Sequence, residues 1–551
     1  MKKKLKIVLL TIVMSSFAIF STGVSESYFE IAKNLDIFNS LYKELNSLYV
    51  DDTDPGELMK ESIDHMLESL DPYTTYIPES EIEDFRFMTT GQYGGIGAVI
   101  TKRDEHVYIS EPYEGFAAQK SGLMAGDKIL EINGTSAKNK STEEVSKILK
   151  GQPGTSVNLL IERKSVTEPF NVVFDREKVT INSVSYSDYI NNNIGYVKLR
   201  SFTRGCAEQL RKSIVELDNK EDLKGLILDL RSNPGGLLNE SVDIANLFID
   251  KGELIVSTKG KISSWDKEYI AKKSPIFKNL PLVVLINNTS ASASEIVSGS
   301  IQDLDRGVII GKKSFGKGLV QQTRKLPYNS ELKLTVAKYY IPSGRCIQAL
   351  DYSNRNEDGS VGKIADSLST EFRTKNNRKV YDGGGITPDL VTESEVSSKI
   401  LLSLFRERLF FDYATEYRLK NENILSAKDF KITDEMFLDF KNFLSDKEYE
   451  YETDTEKAYK KLKKVAKDEN YFESMKNDFD LLVNKIDDAK SDDLEKNKDF
   501  VKEILANEIV SRYYYQKGRI QSSLNYDKDI LEAITVLSDS TKYKQILSNI
   551  D

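Results

Sequence analysis

The chain has 551 residues, too many for a single hydrophobic core, so three or four domains are expected. Its 77 Lys and Arg against 86 Asp and Glu leave a formal charge of −9, which excludes the basic footprint of a nucleic-acid-binding protein. Hydrophobic residues at 39% and charged residues at 30% describe an ordinary globular chain, and two cysteines, Cys206 and Cys346, are too few for a disulfide framework.

The chain opens with MKKKLKIVLLTIVMSSFAIFSTG, a basic start followed by an apolar stretch from about Ile7 to Phe20. That stretch is short for a membrane span and suits the core of a signal peptide. No clean small-x-small cleavage site ends it, so residues 1–24 are a signal peptide or an uncleaved membrane anchor. Either places the rest of the chain outside the cytoplasm, periplasmic or secreted, with inner-membrane attachment left open. Residues 25–90 form a helical domain, carried by FEIAKNLDIFNSLYKELNSLY and PGELMKESIDHMLESL, with Pro55 near the start of the second helix. Asp71-Pro72 then marks a helix end and a turn, with no catalytic role expected for Asp71.

A second module occupies 91–176. Gly95-Ile96-Gly97-Ala98 is a glycine-rich turn leading into a strand, whose backbone N–H groups could hold a terminal carboxylate while the strand edge pairs with an extended peptide. A plain hairpin loop reads equally well from that turn alone. It is followed by Gly122 to Gly134, by a helix with a capping box at Ser141-Thr-Glu-Glu144, and by the strand Ser156 to Glu162. The succession resembles a PDZ domain, which implies recognition of a substrate C-terminus through Gly95, Ile96, Gly97 and Ala98.

From 177 to 395 strands and helices alternate. The strand Gly225 to Leu230 runs into Arg231-Ser-Asn-Pro234-Gly235-Gly236, a tight turn that leaves N–H groups open at the carboxyl end of a central strand. Leu282 to Ile286 is an unbroken aliphatic run, suited to a strand buried on both faces of a mainly parallel sheet. After a polar turn, Ala293, Ile296, Val297, Ile301 and Leu304 fall on one side of a helix. Ser292 therefore stands at a helix N-terminus, where free N–H groups could receive an oxyanion. Ser292-Ala-Ser-Glu295 also fits a capping box with no chemistry.

A serine nucleophile needs a base, and the chain has only His65, in a leader helix, and His106, in a hairpin-like piece. Neither is near the serine turn in sequence. Lys317 lies between Gly316 and Gly318, where the backbone can approach a neighbour closely. On a strand, Lys317, Leu319 and Gln321 share a face, so Gln321 could hold the amine.

These segments together, Ser292-Ala-Ser-Glu-Ile-Val, Gln302-Asp303, Arg306-Gly307, Ser314-Phe-Gly-Lys317-Gly and Gln321, closely resemble the carboxyl-terminal processing peptidases. These are tail-specific serine proteases of family S41 with a Ser-Lys dyad. Ser69 to Pro78, the Pro234-Gly235-Gly236 turn, Pro342-Ser-Gly-Arg345 and Gly385-Ile-Thr-Pro388-Asp389 carry the same resemblance, which spans about Ser69 to Asp389. It implies Ser292 as nucleophile, rather than the flanking Ser290 or Ser294, Lys317 as general base and Gln321 as the residue orienting it. Asp303 is a secondary candidate. For the oxyanion hole, an N–H of Gly235 or Gly236 joins that of Ala293 or Ser292.

The implied architecture is a multidomain α/β chain: a crotonase- or ClpP-like αβ protease core with an inserted PDZ domain, a helical N-terminal segment and a C-terminal helical extension. Cys346 stands where that family commonly has serine or threonine, and no change of activity is attached to it. Asp351 to Lys379 is polar and reads as a mobile loop. Residues 396–551 read as amphipathic helices with a solvated charged face; an oligomerising or adaptor-binding role is left open. The expected activity is an exported serine endopeptidase acting on proteins bound by their C-termini, with no metal, nucleotide or other cofactor implied. A noncatalytic peptide-binding protein on the same scaffold is the alternative. A crotonase-like acyl-CoA enzyme would leave the PDZ-like module and the export signal unused.

Overall fold

The computed structural model describes residues 28–191, 193–356, 360–363, 369–392 and 398–548; the segment 1–24 read as signal peptide or anchor lies outside them. The chain forms two compact units, Met1–Ile77 with Thr323–Leu334 and Pro78–Gln322 with Thr335–Asp551. In the first, helices span residues 28–48 and Pro55–Glu68. Asp54 caps the second helix by accepting the amides of Gly56 and Glu57, and Pro55 takes the first helical position, where its missing N–H costs nothing. Asp71 accepts the amides of Tyr73 and Thr74, both at 2.8 Å, so its carboxylate closes a turn. The strand Thr75–Ile77 then pairs antiparallel with Glu331–Lys333.

The second unit is built on a six-stranded sheet in the order Val184–Tyr189, Ile194–Leu199, Gly225–Asp229, Leu282–Ile286, Val308–Gly311, Leu390–Val391. The first pair is antiparallel and the rest are parallel. Alternate residues face opposite sides. Leu226, Leu228, Leu282, Val284 and Ile286 pack with Leu210, Ile214, Ile244, Ile296 and Val297, from helices Cys206–Lys220, Leu238–Ala245 and Ala293–Asp303. Ile227, Val283, Leu285, Val308 and Ile310 pack with Leu524, Ile530, Ala533 and Val536. Both faces are thus covered, which is why the central strands Leu282–Ile286 and Val308–Gly311 read as unbroken apolar runs.

The cover of the second face, helix Lys528–Ser538, comes from the region 396–551 that the sequence sets apart as an extension. A boundary near residue 395 therefore separates segments of sequence that share one packed core. Each fully buried aliphatic side chain on that helix contributes about 1.5–3 kcal/mol. Other C-terminal helices close a core of their own around Leu404, Phe410, Phe440, Leu505 and Ile509, and Asp454–Asp468 with Lys476–Ser491 close a smaller one around Tyr459 and Phe479.

The inserted module has its own sheet, in the order Ala98–Arg103, His106–Pro112, Lys128–Ile132, Ser156–Glu162, Phe170–Asp175. Its helix Thr142–Leu149 starts with the expected box, Ser141 Oγ accepting the Glu144 amide and Glu144 accepting that of Ser141. The polar stretch after residue 350, read as a mobile loop, contains strands. Among its described residues Leu350–Arg355 pairs with Val361–Lys363, and Glu371–Arg373 with Lys379–Tyr381. Both cysteines are free, Cys206 buried and Cys346 half-buried. Among the described residues no helix is long and apolar enough to cross a membrane.

Candidate active site

The strand Leu282–Ile286 is wholly buried, and the chain turns sharply after it into helix Ala293–Asp303. Ser292 sits at that turn with φ 56° and ψ −113°, a conformation that costs a non-glycine residue of order 1–3 kcal/mol. From Ser290 to Asp303 it is also the one residue that is not buried. The two flanking serines are engaged elsewhere. Ser290 Oγ donates to the Leu230 carbonyl at 2.8 Å and Ser294 Oγ to that of Asn233 at 2.9 Å, so both hydroxyls staple the helix start to the Pro-Gly-Gly turn.

That turn lies directly against the serine. Gly235, at φ 100°, comes so close that a Cβ there would lie 2.9 Å from Ser292 Cβ and 3.0 Å from the Ala293 nitrogen. Only glycine fits such an approach. Asn233 wires the turn. Its carbonyl accepts the Ala291 amide at 3.1 Å, its Nδ2 donates to Leu199 at 2.8 Å, and its Oδ1 accepts the Gly235 amide at 2.9 Å. The Gly235 amide is thereby engaged inside the turn, as the Ser292 amide is by Glu295. Among the described residues the amides of Gly236 and Ala293 donate to no protein acceptor.

Glu295 is the feature that sequence reasoning missed, having taken it only for a helix cap. It is fully buried and accepts four hydrogen bonds. Oε2 takes the amides of Ser292 at 2.7 Å and Lys317 at 2.9 Å; Oε1 takes the Gly316 amide at 2.7 Å and Ser314 Oγ at 2.5 Å. Burial pushes this carboxyl above its ordinary range, and the four donors act against that. One carboxylate oxygen thus holds the backbones of Ser292 and Lys317 side by side.

Tyr339, also missed, does the same from the other side. Its hydroxyl lies 2.5 Å from the Lys317 carbonyl oxygen and 3.2 Å from that of Ser292. The signal for Glu295 was a charged residue on a helix whose neighbours are all apolar or small; nothing in the sequence singles out Tyr339 from its strand.

The glycines flanking Lys317 fit closely as expected. A Cβ on Gly316 would meet Ala349 Cβ at 2.4 Å, and one on Gly318 would meet the Gln348 nitrogen at 2.8 Å. Lys317 itself is half-buried. Gln321 donates from Nε2 to Thr335 Oγ1 at 3.2 Å, which leaves its Oε1 as an acceptor.

Asp303 serves the fold. It is nearly inaccessible, accepts Arg345 Nη2 at 2.8 Å and the Ser343 amide at 2.9 Å, and so secures the Pro-Ser-Gly-Arg turn. Eleven residues of helix put it about 16 Å along the axis from Ser292. Of the histidines, His65 is exposed in the leader and His106 lies on the inserted module.

On that module the strand Ala98–Arg103 is an edge, paired only with His106–Pro112. The carbonyls of Ile96 and Gly97 accept the amides of Ala118 and Tyr113, both at 2.8 Å, which fixes the turn and directs its bonds inward through oxygen. Ala98 and Ile100 on the edge strand and Ile148 on the facing helix are half-buried over the module's core. The result is an apolar floor beside a strand edge, on which Arg408 Nη2 donates to the Lys102 carbonyl at 3.1 Å. Among the described residues no group of three His, Cys, Asp or Glu could hold a metal ion.

A family model described as Peptidase family S41 matches residues 193–352, one described as PDZ domain matches 85–162, and one described as Probable PDZ-protease, C-terminal helical domain matches 400–537. A carboxy-terminal-processing protease of Bartonella bacilliformis is 37% identical over 321 residues, covering 58% of this chain and 73% of that one. A probable CtpA-like serine protease of Staphylococcus aureus is 36% identical over 319 residues, 57% of this chain and 62% of that one. Among solved structures, a photosystem II D1 C-terminal processing protease is 27% identical and covers 67% of this chain and 96% of its own, with a TM-score of 0.36.

Proposed function

This chain belongs to the carboxy-terminal-processing protease family, and we propose that it is a serine endopeptidase in which Ser292 is the nucleophile and Lys317 the general base. The observation that carries this reading is the sharing of one Glu295 oxygen by the amides of Ser292 and Lys317, at the accessible residue of an otherwise buried helix start. Lys317, unprotonated, takes the Ser292 proton as Oγ attacks the scissile carbonyl carbon. The amides of Gly236 and Ala293 receive the oxyanion, since those of Gly235 and Ser292 already have acceptors. The lysine ammonium then gives its proton to the leaving amine, and a water deprotonated by the same lysine releases the acyl group. Gln321 Oε1 accepts a hydrogen from the Lys317 amine and keeps it aimed at the serine.

The inserted PDZ domain binds the substrate tail. An extended C-terminus adds to the edge strand Ala98–Arg103, its carboxylate meets the turn Gly95–Gly97, and its last side chain rests on Ala98, Ile100 and Ile148. This favours tails that end in an apolar residue with a free carboxylate. The basic and apolar N-terminal segment supports export, so the substrates are proteins outside the cytoplasm.

The test is a purified full-length chain and an unfolded protein carrying an apolar tail. Ser292→Ala and Lys317→Ala each reduce cleavage by at least about 10⁴-fold while leaving tail binding intact. Undiminished cleavage by either variant overturns the dyad, and amidation of the tail that leaves binding unchanged overturns the PDZ assignment.

A further inference from the structure

The turn that carries Gly235 and Gly236 begins at Arg231, and the guanidinium of Arg231 is bound on both sides. Nε and Nη2 donate to Asp229 at 3.0 and 2.8 Å, and Nη1 donates to Asp527 and Asp529, each at 2.8 Å. Asp229 is fully buried at the end of its strand and also accepts Tyr196 Oη at 2.6 Å, Lys198 Nζ at 3.2 Å and the Arg231 amide at 2.8 Å. Burial opposes its ionisation, yet Arg231 and Lys198 hold it well below the usual carboxylate range. Asp527 and Asp529 stand at the first turn of helix Lys528–Ser538, 296 and 298 residues away in sequence. They are mostly shielded from water, with side chains 23% and 15% exposed.

This cluster is not needed to attach the helix, whose Ile530, Ala533 and Val536 are already buried against the sheet. Buried ion pairs add little net stability, but they are directional and fix geometry. Here they fix the head of a short turn. Downstream, Ser232 is tied to Asn287 at 2.9 Å, Asn233 to the helix start, and Gly235 lies against Ser292.

We propose that Asp527 and Asp529 are positioning residues for acylation: by anchoring Arg231 they hold the Pro-Gly-Gly turn so that the Gly236 amide faces the developing oxyanion at Ser292. This rests on the assignment of Ser292 as nucleophile and of Gly236 and Ala293 as oxyanion donors. An oxyanion donor displaced by about 1 Å loses most of its effect, on the order of 10²-fold in rate.

The experiment uses the full chain with Asp527→Asn and Asp529→Asn combined, a change that preserves shape and leaves Asn as a competent helix cap. Active sites are counted with a fluorophosphonate probe, and kcat per titrated site and KM are measured on a tailed substrate beside the thermal midpoint. The expected result is a fall in kcat per site of about 10- to 100-fold, with KM within about 2-fold and the thermal midpoint within about 4 °C. Arg231→Lys, which loses the fork of donors, falls at least as far. An unchanged kcat per site overturns the proposal, whether the number of titrated sites is full or reduced, because a reduced number alone reports misfolding. If the double variant does not fold, Asp529→Asn alone is judged by the same criteria. Cleavage by Ser292→Ala would defeat the underlying assignment instead, independently of what the aspartate variants do.

Discussion

The C-terminal helices rest on two surfaces of very different chemistry. Against the central sheet the contact is apolar along the helix and charged only at its first turn: Ile530, Ala533 and Val536 lie on Ile227, Val283, Leu285 and Ile310, Leu537 fills the space beside Gly225, and Asp527 and Asp529 meet Arg231. Against the PDZ domain it is polar, with several of its charged side chains partly exposed. Arg103 pairs with Asp412 at 2.7 Å with both side chains partly exposed, Lys164 pairs with Glu416, Arg519 with Glu111 at 3.0 Å, and Arg408 reaches Thr101 Oγ1 at 2.6 Å. The PDZ core closes on itself without a residue from those helices. The difference separates tasks. The element that backs the catalytic sheet is fixed mainly by apolar burial, which salt hardly touches, with one shielded ion cluster at its start, whereas the module that engages the tail is held by contacts that water and ions can replace.

The largest effect is expected where the burial is deepest. Ala533→Asp places a carboxylate with no partner between the helix and the sheet, and costs more than about 4 kcal/mol. The thermal midpoint should fall by at least about 8 °C, or the chain should fail to accumulate as soluble protein. Ile530→Ala, which only opens a cavity at the same surface, costs about 2–4 kcal/mol and lowers the midpoint in proportion. Either variant at wild-type stability would mean that the sheet's second face does not depend on the C-terminal helix.

Which of these surfaces the sequence reveals follows from what each requires locally. Leu282 to Ile286 is apolar at every position and Gly225 to Leu230 at every position but Asp229, so burial on both faces is legible from composition for the first and nearly so for the second. The spacing of Ala293, Ile296, Val297 and Ile301 likewise predicts the helix that Ser292 begins, and the capping box at Ser141 predicts the PDZ helix. What is not legible is the partner. The amphipathic pattern of Lys528–Ser538 says that one face is covered and not by which strand, so the region reads as an appendage. The same limit hid Glu295, because a capping box and a buried carboxylate bridging two loops look alike until Gly316 and Lys317 are seen folded onto it. Asp303 is a secondary candidate only through the family resemblance, and Arg345, 42 residues on, is another partner that the sequence does not show.

The smallest effect is expected at the PDZ contact, and there the comparison is tested most sharply. Exposed ion pairs contribute about 0–1 kcal/mol each, so Arg103→Ala combined with Arg408→Ala should shift the thermal midpoint by no more than about 4 °C. The same pair of substitutions should instead alter local opening. The amides of the strand Ala98–Arg103 and of the helix Leu409–Lys420 should exchange several-fold faster, while those of Leu282–Ile286 keep their protection, because opening this contact need not expose either hydrophobic core. Raising ionic strength from about 0.05 to 0.5 M should reproduce the pattern in the unaltered chain, since the Debye length shrinks from about 14 to about 4 Å and screens these partly exposed pairs. A loss of protection that spread equally into the central sheet would show that both surfaces belong to one cooperative unit, and the contrast between a fixed backing and a replaceable contact would collapse.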